Sequence, residues 1–220
     1  MNHIRYTLVT DGSFDQALLP LLTWLLQQHL RPSDVIPSWP DPRRLRPSPR
    51  GLAERIRAGL ESGPCDLLFV HRDAEGQSRS ARVTEIRDAL QSLSSYLTIP
   101  PTVCVVPVRM TEAWLLCDPE ALRLAANNPR GRQSLHLPPL SRAEHQVDPK
   151  ATLHSALRAA SGKRGQDLAA FSAIRAARAV SDLITDFSPL RTLPAFAELE
   201  AELVQVAREN GWTKETTIVQ

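Results

Sequence analysis

Asp73 and Glu75 stand two residues apart, directly behind the apolar run Leu67-Leu68-Phe69-Val70 and ahead of Gly76. Two carboxylates at that spacing reach one hard cation where the backbone bends, and a glycine permits the bend. Taken alone, the stretch reads equally as a solvated acidic turn. Other acids stand in equivalent places. Asp11 and Asp15 follow the alternating, β-branched residues 4–10, and Glu112 follows the apolar residues 102–108. Acids behind three separate strand-like segments favour a metal-binding crevice over three unrelated turns. A site of carboxylates alone suits Mg2+ or Mn2+. Such ions serve phosphoryl chemistry by stabilising charge on the attacking and leaving oxygens. His71, beside Arg72 at the end of the apolar run, either assists proton transfer or is structural.

Other chemistries find no support. The chain has no Walker-type phosphate loop, no Gly-x-Gly-x-x-Gly and no Gly-x-Ser-x-Gly elbow, and its six histidines form no His-x-x-x-His pair. The three cysteines, Cys65, Cys104 and Cys117, are scattered in apolar segments without paired spacing. They read as reduced core residues of a cytoplasmic protein. With 26 basic and 24 acidic residues the net charge is +2, so general polyanion affinity is not expected, although local patches can meet phosphate. His3, Arg5, Tyr6 and Asp11 interrupt any export signal, and residues 17–26, the most apolar stretch, are half the length of a membrane span. No membrane association is expected.

The elements that must position the acids follow from periodicity. Residues 4–10, 35–39, 67–70 and 102–108 read as strands, the third as a strand buried on both faces of a parallel sheet. Helical patterns lie between them: Phe14, Leu18, Leu21, Leu22 and Leu25 on one face; Leu52, Ile56 and Leu60; then Val83, Ile86, Leu90 and Leu93. Ser13 and Gln16 have the spacing of a capping box, and Pro20 should kink the first helix or restart it one turn later. This alternation predicts an α/β fold, a mostly parallel sheet of about four strands with its chemistry at the carboxyl ends. Residues 127–150 read as an irregular excursion, and residues 152–160, 167–186 and 194–209 as helices. The expected organisation is a metal-binding core over residues 1–126 and a helical extension over residues 127–220 packed on it. Between the second strand and second helix, a proline-rich loop carries Arg43, Arg44 and Arg46. With Lys163, Arg164, Arg175 and Arg178 these are candidate phosphate-backbone contacts, the alternative being solvated faces.

The acid–glycine turn after the first strand and Asp73-Ala74-Glu75 after a later one resemble the Toprim fold of topoisomerases, primases and OLD-type nucleases. Residues 108–122, Val-Arg-Met-Thr-Glu-Ala-Trp-Leu-Leu-Cys-Asp-Pro-Glu-Ala-Leu, and residues 186–196, Asp-Phe-Ser-Pro-Leu-Arg-Thr-Leu-Pro-Ala-Phe, are similar to a prokaryotic Toprim-like family of unassigned function. The resemblance covers nearly the whole chain. It implies a Toprim-like core with a helical C-terminal extension, and a role in phage defence beside an ABC-type ATPase. Asp11 then takes the place of the usual Toprim glutamate, and Asp73 and Glu75 that of its Asp-x-Asp. Asp15 and Glu112 match further acids of the closer family. Asp11 is one methylene shorter than glutamate and Glu75 one longer than aspartate.

The leading expectation is therefore a Mg2+- or Mn2+-dependent nuclease, the effector subunit of an ATPase-controlled complex. Asp11, Asp73, Glu75 and Glu112 would be catalytic, and with Asp15 would hold the metal. Its substrate would be nucleic acid, DNA in the first instance, and a homo-oligomer is allowed. The competing expectations are a catalytically inactive Toprim-like adaptor that binds an ATPase partner, and a small-molecule phosphohydrolase using the same metal.

Overall fold

The computed structural model describes residues 3–31 and 34–214. Its strands are β1 (His3–Val9), β2 (Asp34–Ser38), β3 (Leu67–His71) and β4 (Thr102–Val105). Its α-helices are α1 (Leu18–His29), α2 (Leu52–Glu61), α3 (Arg79–Leu93), α4 (Pro119–Ala125), α5 (Pro149–Ala160), α6 (Gly165–Ala169), α7 (Ala173–Leu183) and α8 (Pro194–Glu209). The four strands form one all-parallel sheet in the order β2-β1-β3-β4, flanked by helices. The fold is α/β, as the alternation of patterns predicts. The chain divides into two compact units, Met1–Arg72 with Ser80–Val106 and Glu198–Gln220, and Asp73–Arg79 with Pro107–Ala197.

The first unit contains the sheet. Every residue of β3 is buried, as its unbroken apolar run requires. β1 and β3 are stapled at their start by Arg5, whose Nε and Nη2 donate to Asp66 at 2.8 and 2.7 Å while its N–H donates to the same carboxylate at 2.9 Å. Helix α2 lies close on β1: a Cβ on Gly59 would stand 2.6 Å from Val9 Cγ2, so any other residue there requires a shift. Tyr6 is fully buried, its ring edge-on to Phe69 at 5.4 Å and its hydroxyl 2.8 Å from Thr23 Oγ1. The chain returns near its end to α1, where Lys214 N–H donates to His29 O at 3.1 Å and Glu200 meets His29 Nε2 at 2.6 Å.

The second unit is helical. Its core includes Trp114 and Phe196, edge-on at 5.6 Å, and the buried Leu153, Leu157, Val180, Phe187, Leu190 and Leu193. Asp118 caps α4 by accepting from Glu120 and Ala121 N–H, and Asp148 caps α5 by accepting from Ala151 N–H. In both helices the following proline occupies the first turn, where a missing N–H costs nothing.

Three local expectations are corrected, and one alternative is decided. No capping box forms at Ser13: a 3-10 turn at Asp15–Ala17 precedes α1 and has no side-chain cap. Pro20 sits in the first turn of α1, so the helix restarts there instead of kinking. The fourth strand stops at Val105, short of residue 108. Residues 167–186 are two helices, because Ser172 caps a new one, α7, three residues after α6 ends.

Candidate functional site

Along the sheet β2 lies on one side of β1 and β3 on the other. The path of the chain thus switches sides at the β1/β3 boundary, and the crevice beyond the carboxyl ends of such strands is where α/β sheets bind ligands. Asp11 and Asp15 follow β1 there, and His71 and Arg72 end β3 or follow it.

The turn after β1 is closed by its own side chains. Thr10 Oγ1 donates to Gly12 O at 3.1 Å, and Gly12 N–H donates to Asp15 Oδ2 at 2.9 Å. The same Asp15 oxygen lies 3.5 Å from His71 Nδ1. Asp15 is 6 % and His71 1 % exposed, so this carboxylate and imidazole are almost wholly removed from water. Buried ionisable groups persist only where partners offset desolvation. His71, for which the sequence leaves two roles open, stands against Asp15.

Asp11 has different partners. Arg55 Nη2 is 2.6 Å from one carboxylate oxygen, and Arg72 Nη1 bonds the other. Arg72 also reaches Glu85 Oε1 at 3.0 Å, and Glu85 Oε2 accepts from Arg82 at 2.9 Å. The result is a chain of alternating charge, Arg55–Asp11–Arg72–Glu85–Arg82, with three guanidiniums against two carboxylates. Burial pulls the Arg55 guanidinium below its ordinary pKa, and the charge of Glu85 opposes that pull. Arg55, Glu85 and Arg82 were not legible as site residues. They stand on helix turns whose periodicity assigns them to solvent, and Arg82 is nonetheless 8 % exposed.

The remaining predicted acids belong to the second unit. Asp73 Oδ1 accepts from Thr111 N–H at 3.0 Å. Glu75 N–H donates to Arg109 O at 2.8 Å, and both residues have positive φ, 53° and 66°. Few side chains adopt that left-handed region, so this turn is conformationally demanding. The Glu75 side chain is exposed, whereas Glu112 is buried in the 3-10 segment Thr111–Cys117.

The predicted phosphate contacts fare unequally. Arg43 forms a fork with Asp41, at 3.1 and 2.8 Å, which holds the Asp41 carboxyl down at about 2, and Arg46 donates to the carbonyls of Arg43 and Leu45. Arg44 is 88 % exposed, 3.8 Å from Asp41. Lys163 Nζ stands 5.9 Å from the Phe171 ring centre, and Arg164, Arg175 and Arg178 are exposed. Among the described residues, no helix is long and apolar enough to cross a membrane. No family model matches the chain, and no curated protein or solved structure matches it.

Proposed function

We propose that the chain is a metal-dependent nuclease. Asp15 and His71, both of the first unit, hold a divalent cation. The observation that carries this reading is the buried Asp15–His71 pair at the carboxyl ends of the two central strands. An imidazole beside carboxylates moves the preferred ion from Mg2+ toward Mn2+, because Mg2+ favours oxygen donors. When bound, such a cation stabilises charge on the oxygens of a phosphodiester under attack. The protein's own part is orientation. Gly12 N–H fixes the Asp15 carboxylate, and Asp11 anchors Arg55 and Arg72, whose guanidiniums suit phosphate. Glu75 and Glu112 stay outside the ligand set of this proposal.

The test is a thermal midpoint with and without Mn2+, alongside cleavage of end-labelled oligonucleotides. Wild type should gain several degrees from saturating Mn2+ and cleave; Asp15→Asn should lose both effects while remaining folded. A metal-induced shift that survives in Asp15→Asn overturns the ligand assignment.

One observation favours a second reading. Both oxygens of Asp11, in the place of the usual Toprim glutamate, are engaged by arginines. An acid neutralised in this way suits an inactive adaptor that binds an ATPase partner. No Mn2+-induced shift and no cleavage, with co-purification of an ATPase, would select that reading. Both readings are cytoplasmic ones, supported by three free cysteines.

A further inference from the structure

The second unit holds a cleft of about 520 Å³ beside α4 and α7. That is the size class of small-ligand pockets. Its walls combine Leu124, Phe171 and Leu183 with small alanines, and its polar groups include Asn127, Lys163 and Arg175. Among the described residues that line it there is no acid. Leu124 is 44 % exposed, large for a leucine on a helix, and it faces this cleft. Lys163 and Arg175 are exposed, and the ammonium of Lys163 stands 5.9 Å from the Phe171 ring centre.

We infer that this cleft seats one unpaired nucleotide of a single-stranded nucleic acid. Two cations with no competing carboxylate call for a ligand with concentrated negative charge, and a phosphodiester supplies it. Apolar walls with an aromatic ring call for a planar, weakly polar partner, and a base supplies that. The Asn127 carboxamide offers one donor and one acceptor edge to such a base. A fatty-acid anion would satisfy the cations but leave the aromatic ring and the carboxamide without purpose. A paired duplex presents its phosphates but not its base faces. Arg164 and Arg178 do not line the cleft, so the four basic residues that the sequence singles out in this half separate into two that hold the ligand and two that do not. The inference names the substrate class of the nuclease proposed above and rests on that reading for its biological consequence.

Binding is measured on the full chain in EDTA, where cleavage cannot occur, by fluorescence anisotropy of a labelled oligothymidylate of about 8 nucleotides. Phe171→Ala should weaken binding about 10-fold with an unchanged salt slope, since stacking releases no counterions. Arg175→Glu should weaken it and lower the salt slope by about 1, and Arg178→Glu should do less. A duplex of equal length should bind more weakly than the single strand. If Phe171→Ala proves unfolded by circular dichroism, Phe171→Leu keeps the apolar packing and removes the ring. Full binding by a folded Phe171 variant overturns the inference, as does equal loss for Arg175→Glu and Arg178→Glu. Binding of free thymidine monophosphate without binding of the oligonucleotide overturns the assignment to a strand. A chain that binds single strands in EDTA but neither binds Mn2+ nor cleaves would retain the inference and lose the nuclease.

Discussion

At the scale of single residues, Arg72 is the group whose loss should be felt most clearly. It joins Asp11 to Glu85 and is 17 % exposed, so its removal takes one guanidinium from each of two partly exposed carboxylates. Arg72→Met should cost about 1–2 kcal/mol in urea denaturation, between the values for surface and buried pairs. A change near zero would show that Asp11 and Glu85 rearrange onto Arg55 and Arg82. The cysteines make the opposite kind of prediction. Burial pushes the Cys117 thiol up to about 12, with the neighbouring Asp118 adding to the effect. Since the thiolate is the reactive form, Cys117 should stay inert toward a disulfide reagent at mildly alkaline pH in the folded protein and react in denaturant. Rapid reaction of Cys117 in the native chain, mapped by mass spectrometry, would contradict this.

At the scale of elements, the contact of α2 with β1 sets two effects against each other. Alanine in place of Gly59 gains about 1 kcal/mol of helix propensity. The added methyl would meet Val9 Cγ2 at 2.6 Å, an overlap relieved by moving the helix off the strand or turning the Val9 side chain. Overpacking of this kind costs about 1–3 kcal/mol, so Gly59→Ala should be neutral to destabilising by about 2 kcal/mol. A stabilised variant would mean that α2 sits farther from β1 than described. The staple between β1 and β3 is testable by pH. The side-chain hydrogen bond from Arg5 holds the Asp66 carboxyl below its ordinary value, burial opposing it. A depressed folded pKa makes this stabilisation complete above the unfolded value of about 3.9 and lost as pH falls through the folded one. Asp66→Asn should therefore lower the thermal midpoint at neutral pH and narrow its gap to wild type as pH falls below the unfolded carboxylate value. A gap that is constant with pH would assign the loss to packing.

At the scale of the whole molecule, stability should be graded across the sheet. β3 is wholly buried and central, whereas β2 is an edge strand containing Pro37 and the 47 % exposed Ile36. Amides of β3 should exchange with deuterium far more slowly than those of β2, and uniform protection across the four strands would overturn that grading. The α/β class and the approximate positions of all four strands were legible in the sequence, because apolar run length and alternation report which faces are buried. So was the stop of α5 at Ala160, and α8 was legible residue for residue. Asp11 and Asp15 were legible as acids that follow the first strand, but their partners were not. Asp11 and Asp15, four residues apart, look equivalent in the sequence; the structure gives Asp11 two arginines and Asp15 a buried histidine. That division depends on Arg55 and Glu85, which reach the strand ends from helices α2 and α3. A helix reports its buried stripe through apolar spacing, but a guanidinium that snorkels across a strand end leaves no such periodic trace. The sequence by itself determined where the sheet lies and that Asp11 and Asp15 follow its first strand. Which acid is neutralised and which is paired with His71 was decided by tertiary packing alone, because ion pairing depends on distances between segments that the order of residues does not contain.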